Sequence, residues 1–153
     1  MANLLTNIGK SSTGQALIEL TLLLPLLVLI LLGTVDFGRV FFQSMALAQA
    51  ARAGAQFGAQ NDTTAADAPG MKAAAVNAGQ DIGLALADVT AANRHFQCGA
   101  DPWTTTDPSP CADGKPPKIY VEVTVQKTFT TLFNYPGFPH SINLSRTATI
   151  RAR

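Results

Sequence analysis

The chain has 153 residues and a formal net charge of +1, and only 14% of its residues are charged. This length favours one small globular domain, with room for a membrane anchor. No basic patch with interleaved aromatic residues occurs, so the composition gives no indication of nucleic-acid binding.

The first quarter of the chain contains a long apolar stretch, "STGQALIELTLLLPLLVLILLG" (residues 12–33). The 21 positions from Gln15 to Val35 contain Glu19 as their only charged residue. A helix over these positions spans roughly 31 Å, which is enough to cross the hydrocarbon core of a bilayer. The sequence therefore predicts a transmembrane helix over about residues 16–36, loosened at Pro25 because proline removes a backbone donor.

A cleaved secretory signal peptide is the competing interpretation of this stretch. Signal peptides end in a small-x-small cleavage site soon after the apolar region. The nearest such site is "ALA" at residues 46–48, and Asp36, Arg39 and two phenylalanines separate it from the apolar stretch. That intervening region is too long and bulky, so a retained anchor is favoured.

The two cysteines bear on the compartment. Cys98 and Cys111 lie 13 positions apart and could form a disulfide, remain free thiols, or bind a metal with His95 and His140. The disulfide is favoured, since zinc sites usually contain closely spaced ligand pairs and this chain has no C-x2-C or H-x3-H element. A disulfide requires an oxidising compartment, which predicts a cytoplasmic amino terminus and an extracytoplasmic carboxy-terminal domain.

Glu19 is unusual in a segment fit for lipid. A carboxylate at the bilayer centre costs roughly 2.5–3.5 kcal/mol, so it implies a partner unless it reaches the interface from the inner end of the helix. Cleavage after Gly14 would create an α-amine on Gln15 that is largely cationic at neutral pH. That amine in one subunit could neutralise Glu19 of a neighbour, because burying the pair costs much less than burying either charge alone.

These residues carry a family resemblance. "GQALIEL" (residues 14–20) resembles the processing site of type IV prepilin-like proteins, and residues 13–58 resemble the amino-terminal region of the TadE-like family, minor pseudopilins of the Flp (tight adherence) pilus system. The shared elements are the G-Q-A-x-x-E start, the Leu-Pro within the apolar helix, the D-x-G-R at Asp36 to Arg39 and the Ala/Arg-rich continuation. Leu20 stands where the major Flp pilins carry Tyr, which favours the minor class.

The resemblance implies a leader over residues 1–14 and cleavage after Gly14 by a prepilin peptidase, with Gln15 as the new terminus and Glu19 and Leu20 in the recognition site. It implies as partners the peptidase, the major pilin, fellow minor pseudopilins, the inner-membrane assembly platform and membrane lipid. The protein would cross the cytoplasmic membrane once or enter the pilus, in adhesion or secretion. An uncleaved, membrane-anchored extracytoplasmic binding module is the alternative function.

The helix is predicted to continue beyond the membrane, giving an amino-terminal helical segment over residues 15–60. Seven of the fourteen residues from Ala46 to Ala59 are alanine, the strongest helix former. Asp36 and Arg39 are three positions apart, so they can pair where the helix leaves the lipid or each can face water. "ND" at 61–62 and "APG" at 68–70 are predicted to end the helix.

A row of small residues recurs every four positions in this continuation. Its members are Ala46, Ala50, Gly54 and Gly58. Such a small-residue ridge lets another helix approach closely, which makes it a candidate surface for subunit assembly.

Residues 61–153 are predicted to form an extracytoplasmic α+β domain with an antiparallel sheet of about three strands. A second helix is expected from Met71 to Ala87, followed by a weak strand in "DVTAANRHFQC". The segment from Gly99 to Pro117 holds five of the nine prolines and reads as an irregular loop. Trp103 in that loop is expected to cover the small core rather than to bind a ligand.

Two further strands follow. "KIYVEVTVQKTF" alternates strictly, which places one side chain in two on the buried face (Ile119, Val121, Val123 and Val125). "SINLSRTATIRAR" reads as the last strand, with Ile142, Leu144, Ala148 and Ile150 on one side. Arg146 interrupts that side, which predicts a bulge or an edge position.

The sequence contains no motif for catalysis. His95 and His140 are the only histidines, and neither stands in a nucleophile, metal or phosphate-binding motif. The sequence therefore predicts a non-enzymatic protein that needs no cofactor.

Overall fold

The computed structural model describes residues 12–133, 137 and 139–152. Three α-helices are followed by a three-stranded antiparallel sheet, so the predicted α+β class is confirmed. The chain divides after Gly38 into two compact units. The first unit contains the amino-terminal half of the long helix, and the second contains residues 39–58 of that helix together with all other elements.

Helix α1 runs from Ser12 to Gly58 and contains Pro25 without interruption. Its length follows from the near absence of helix-breaking residues and the high alanine content after residue 45. The predicted helical segment over residues 15–60 agrees with α1 within two or three residues. The second compact unit, however, reaches back to Arg39, so the outer half of α1 belongs to the folded domain.

The segment predicted to end the first helix also begins two others. Asn61 caps α2 (Asp62–Ala66): its side chain accepts from the Thr64 amide at 2.9 Å, and its own amide donates to the Thr64 hydroxyl at 3.1 Å. This is a reciprocal capping box. Asp67 then accepts from the Gly70 amide at 2.9 Å and caps α3 (Ala68–Ala78), so "APG" forms the first turn of a helix rather than a free turn.

The prediction of one helix from Met71 to Ala87 is wrong at its carboxyl end. Helix α3 ends at Ala78, and two short 3-10 turns over residues 80–82 and 86–88 replace the rest. Gly79 caps α3, and Gly83 adopts a φ of 62° that side-chain-bearing residues rarely adopt. These two glycines divide a segment whose apolar spacing still resembled a helix.

The sheet has the order β1-β2-β3, with β1 over Val89–Gln97, β2 over Lys118–Thr130 and β3 over Ser141–Arg151. All three expected strands are present, including the weak one. The alternation predicted for β2 is confirmed, because Val121, Val123 and Val125 are fully buried. β2 is the central strand, and it has a buried side chain at alternate positions because only one face packs against helices.

β3 is an edge strand with an unbroken register from its pairing at Tyr120–Arg151 to that at Thr130–Ser141. Of the two expectations for Arg146, the edge position is confirmed and the bulge is wrong. The guanidinium donates to the hydroxyl of Ser44 on α1, which accounts for a charged side chain on the inner face of β3. The register shift in this sheet lies instead between Val89 and Ala91 on β1.

The core lies between one face of the sheet, the outer half of α1, and α3. Small residues of α1 allow the sheet to come close, and larger side chains from the other elements fill the space between them. Its buried members include Leu47, Ala50, Ala51, Ala55, Met71, Ala75, Val121, Val123 and Val125. Each fully buried valine, leucine or methionine contributes roughly 1.5–3 kcal/mol to folding.

Candidate functional site

The apolar span forms the amino-terminal half of α1. Among the described residues, α1 is the one helix long and apolar enough to cross a membrane, and no residue of its most apolar 18-residue window is buried within the chain. The two threonine hydroxyls of this half donate to carbonyls four residues earlier, Thr21 to Leu17 at 2.7 Å and Thr34 to Ile30 at 2.8 Å. These polar groups are therefore satisfied inside the helix, as a lipid environment requires.

The predicted processing residues lie at the start of α1. Gly14, Gln15, Glu19 and Leu20 all have helical backbone, and the side chains of the last three are exposed. Gln15 and Glu19 are separated by four residues, or about 6 Å along the helix axis. Most of the predicted leader, residues 1–11, lies outside the described residues.

The two predicted exit charges have different environments. Asp36 is a buried charged side chain, with 5% of its surface exposed. Arg39 places its guanidinium 5.2 Å from the centre of the Phe129 ring, within the range of a cation–π contact. The structure thus gives Arg39 an aromatic partner on β2, and the pairing of Asp36 with Arg39 stays a prediction.

The small-residue ridge on α1 packs within its own chain. A Cβ added at Gly54 would lie 2.8 Å from the Met71 carbonyl oxygen and 3.1 Å from a Val123 methyl, and one added at Gly58 would lie 2.5 Å from the Met71 sulfur. Ala50 is fully buried. A helix does approach this ridge closely, but that helix is α3 of the same chain.

The ridge is thus used for packing within its own chain, and its expected role in subunit assembly stays a prediction. Ala50, Gly54 and Gly58 lie in the core of the folded unit, and Ala46, at the end of the ridge, is half-buried. The opposite face of α1 is the accessible one, where Phe41, Phe42 and Met45 are each more than half exposed. The apolar residues at 41, 42 and 45 in the sequence were the signal for this second face.

The span, the carboxylate near its start and the alanine-rich continuation fall within one recognisable segment. Residues 14–56 match the TadE-like protein family. This match confirms the resemblance seen in the sequence. No curated protein and no solved structure shows significant similarity to the chain.

One long apolar helix in the TadE-like segment fits a single-pass membrane anchor. The matched residues end two positions before the end of α1 and contain Asp36, Arg39 and most of the ridge. They therefore include the apolar span and the part of α1 that supports the domain. The sheet, the disulfide and the aromatic residues on the outer face of the sheet lie beyond the match.

The predicted disulfide is present. Cys98 and Cys111 are bonded, with their Cα atoms 5.7 Å apart. The loop that they close also pairs with β1, because Phe96 and Thr104 exchange backbone hydrogen bonds of 2.7 and 2.9 Å. The loop thereby covers part of the outer edge of β1, which reduces the unpaired backbone on that strand.

Trp103 lies on the other side of the sheet from the core, so its expected place over the core is wrong. Its ring stacks on Tyr120 with centroids 4.9 Å apart, and the His95 ring centre lies 5.7 Å away. His95 and Tyr120 are direct partners across β1 and β2. The alternation that buries Val121 sends Tyr120 outward, so the partner of Trp103 was available from the sequence once the loop path was known.

The described residues contain no group of three or more potential metal ligands. His95 is 4.0 Å from the Glu122 carboxylate, while the Nδ1 of His140 hydrogen-bonds with the Thr131 hydroxyl at 2.9 Å at the other end of β2. With both cysteines in the disulfide, the four residues of the metal alternative do not come together.

Proposed function

We propose that this protein is a minor pilin-like subunit of the Tad pilus system, cleaved after Gly14 and assembled through α1. The observation that carries the proposal is the TadE-like match over a helix whose most apolar 18-residue window has no residue buried within its own chain. Exposed apolar surface of this extent needs lipid before assembly, and it can exchange lipid for neighbouring helices in a filament or its base.

In this proposal, Glu19 sets the position of each subunit along the helix of its neighbour. Cleavage after Gly14 leaves a cationic amine on Gln15, and the amine of an incoming subunit neutralises Glu19 of a subunit already in place. The amino terminus lies in the cytoplasm and the folded unit outside it, where the disulfide persists.

The outer part of α1 contributes a second contact between subunits. Its small-residue face is covered by α3 and the sheet, so the opposite face remains for neighbours. Phe42 and Met45 have 56% and 57% of their surfaces exposed on that face. Large apolar side chains at such a surface favour contact with another apolar helix.

Processing is tested by producing the protein with an active or an inactivated prepilin peptidase and measuring its intact mass. The expected result is loss of residues 1–14 with the active enzyme only. An intact terminus in both cases would contradict cleavage and favour the uncleaved anchored module.

Assembly is tested with Glu19→Gln, which removes the charge and keeps the shape. The matched control is Glu122→Gln, since Glu122 is the only other glutamate of the sequence. Glu19→Gln is expected to reduce recovery of the protein with pilus components at least tenfold, while Glu122→Gln has no effect. Equal recovery of both variants would overturn the assembly role of Glu19.

The helix surface is tested by crosslinking from cysteines at two exposed positions, Met45→Cys on α1 and Thr149→Cys on β3. Crosslinks from position 45 to another pilin-like chain are expected, with none from position 149. Crosslinks only from position 149 would move the interface to the sheet.

A further inference from the structure

The carboxyl end of β2 and the start of β3 lie at the same end of the folded unit as Arg39. Phe129, one residue before the end of β2, pairs with Ile142 on β3 and contacts the Arg39 guanidinium through its ring. Arg39 follows Val35, the last residue of the charge-free stretch, by four residues of continuous helix, or about 6 Å. This end of the sheet therefore contacts a residue that comes four positions after the charge-free stretch in the sequence.

Apolar side chains are exposed at this end. Leu132, Phe133 and Ile142 have 55%, 46% and 42% of their surfaces accessible, and we call these three residues the hairpin end. Ile142 was expected on the buried side of β3, but it lies beyond the core. Leu86, also exposed, lies just before β1, whose first residue pairs with Val125 near this end of β2.

The rest of the domain beyond α1 exposes few large apolar side chains. Among its described residues, the one other large exposed apolar side chain is Trp103, which stacks on Tyr120 near the opposite end of β2. Exposed apolar surface is thus concentrated where the domain meets Arg39. Single exposed apolar residues need no explanation, but such a cluster marks an interaction surface.

The charge pattern fits lipid better than a water-exposed loop. No aspartate or glutamate follows Glu122 in the sequence, and residues 128–145 contain neither lysine nor arginine. The nearest flanking charges are Lys127 and Arg146, both cationic. Aromatic and aliphatic side chains between cations are typical of segments at the headgroup level of a membrane.

We propose that the hairpin end enters the headgroup region of the leaflet through which α1 leaves the membrane. The folded unit then has two attachments to the bilayer, α1 and the hairpin end, and these fix its orientation on the membrane surface. The proposal rests on the single-pass anchor and does not depend on cleavage or on pilus assembly.

The test uses the full chain in vesicles of phosphatidylethanolamine and phosphatidylglycerol, with its disulfide intact and one added cysteine carrying an environment-sensitive fluorophore. The probe positions are Phe133→Cys in the hairpin end and Gln56→Cys as the control. Gln56 is exposed on α1, about 25 Å along the helix from Arg39. A third probe, Leu27→Cys, reports insertion of α1 itself.

Nitroxide-labelled lipids are then added as quenchers. The expected result is a blue-shifted emission at position 133 and quenching at least threefold stronger than at position 56, with the probe at position 27 quenched most. Equal quenching at positions 133 and 56, while position 27 is strongly quenched, would overturn the proposal and leave the proposed function intact. Lack of quenching at position 27 would overturn the anchor on which both depend.

A second measurement separates lipid from a neighbouring chain. A probe at Ile142→Cys is compared with and without Phe133→Ser, at two protein densities in the vesicles. Lipid contact predicts quenching that falls with the substitution and does not change with density. If the probe is protected from the quencher only at high protein density, a second copy of the chain covers it and the proposal is overturned. Unchanged thermal unfolding in detergent confirms that the Phe133→Ser variant is folded.

Discussion

The two halves of α1 have the same backbone and opposite relations to the rest of the chain. Residues 20–35 are nearly all large and apolar, and they contribute nothing to the buried core. In residues 46–58 alanine and glycine predominate, and this half contributes Leu47, Ala50, Ala51 and Ala55 to the core. The comparison teaches that high hydropathy does not make a segment part of the core. The more apolar half stays outside the core and is apolar enough to cross a membrane, whereas the smaller residues of the other half join the core because they let α3 and the sheet approach.

The largest expected effect comes from comparing a phenylalanine buried in the domain with one exposed on α1. Phe129→Ala removes a fully buried ring and should lower the free energy of unfolding by about 3–5 kcal/mol. Phe42→Ala, on the exposed face of α1, should change it by less than about 0.5 kcal/mol. Urea unfolding of the full chain in detergent micelles, followed by the fluorescence of the single tryptophan, measures both. Equal losses would mean that the exposed face is part of the domain core.

The next largest effect is expected from loss of the disulfide. Replacing Cys98 and Cys111 together by serine should destabilise the folded unit by about 3 kcal/mol, because the open loop has more conformational freedom when unfolded. Membrane insertion, judged by resistance to alkaline extraction, should not change, since α1 inserts independently of the loop. Reductant should shift the unfolding midpoint of the native chain and leave that of the serine variant in place. A native midpoint insensitive to reductant would contradict the prediction.

The ridge gives a sharper contrast within α1 itself. Gly54→Leu forces a side chain against the Met71 carbonyl and Val123 and should cost about 1–3 kcal/mol. Gly38→Leu is the matched control, because a Cβ added there meets no atom within 4 Å. The same unfolding experiment compares them. If the Gly54→Leu variant is stable but fails to assemble, the ridge contacts a neighbouring subunit and the prediction is wrong.

The smallest effect concerns the cap that follows α1. Asn61→Ala removes the side-chain acceptor for the Thr64 amide and should destabilise the folded unit by about 1 kcal/mol. Asn61→Asp keeps an acceptor and should unfold within about 0.5 kcal/mol of the native chain. If the alanine and aspartate variants have the same free energy of unfolding, the capping box does not stabilise the domain.

The sequence was sufficient to predict those elements whose pattern is local. The alternation through Val121, Val123 and Val125 predicted β2 and its buried face, since a strand repeats every two residues whatever it pairs with. The apolar stretch and the alanine-rich continuation predicted α1. The processing residues around Gly14 and Glu19 come from family resemblance, and their roles stay predictions.

Where two signals competed, the sequence was insufficient. The apolar spacing from Met71 onward suggested one helix to Ala87, but Gly79 and Gly83 favour a helix end and a left-handed turn. Four-residue spacing of small side chains indicated close helix packing, and close packing occurs. The identity of the approaching helix could not be read from that spacing, because the same ridge suits α3 or a neighbouring subunit.

The sequence by itself determined the apolar span, the course of α1 and the buried face of β2, because hydropathy and periodicity act over a few neighbouring residues. Tertiary structure alone decided that the ridge faces α3, that Trp103 stacks on Tyr120 outside the core, and that Arg146 reaches Ser44 from an edge strand. These outcomes depend on which distant surfaces meet. That choice is made by the packing of the whole domain, since each surface is compatible with several partners until the others are in place.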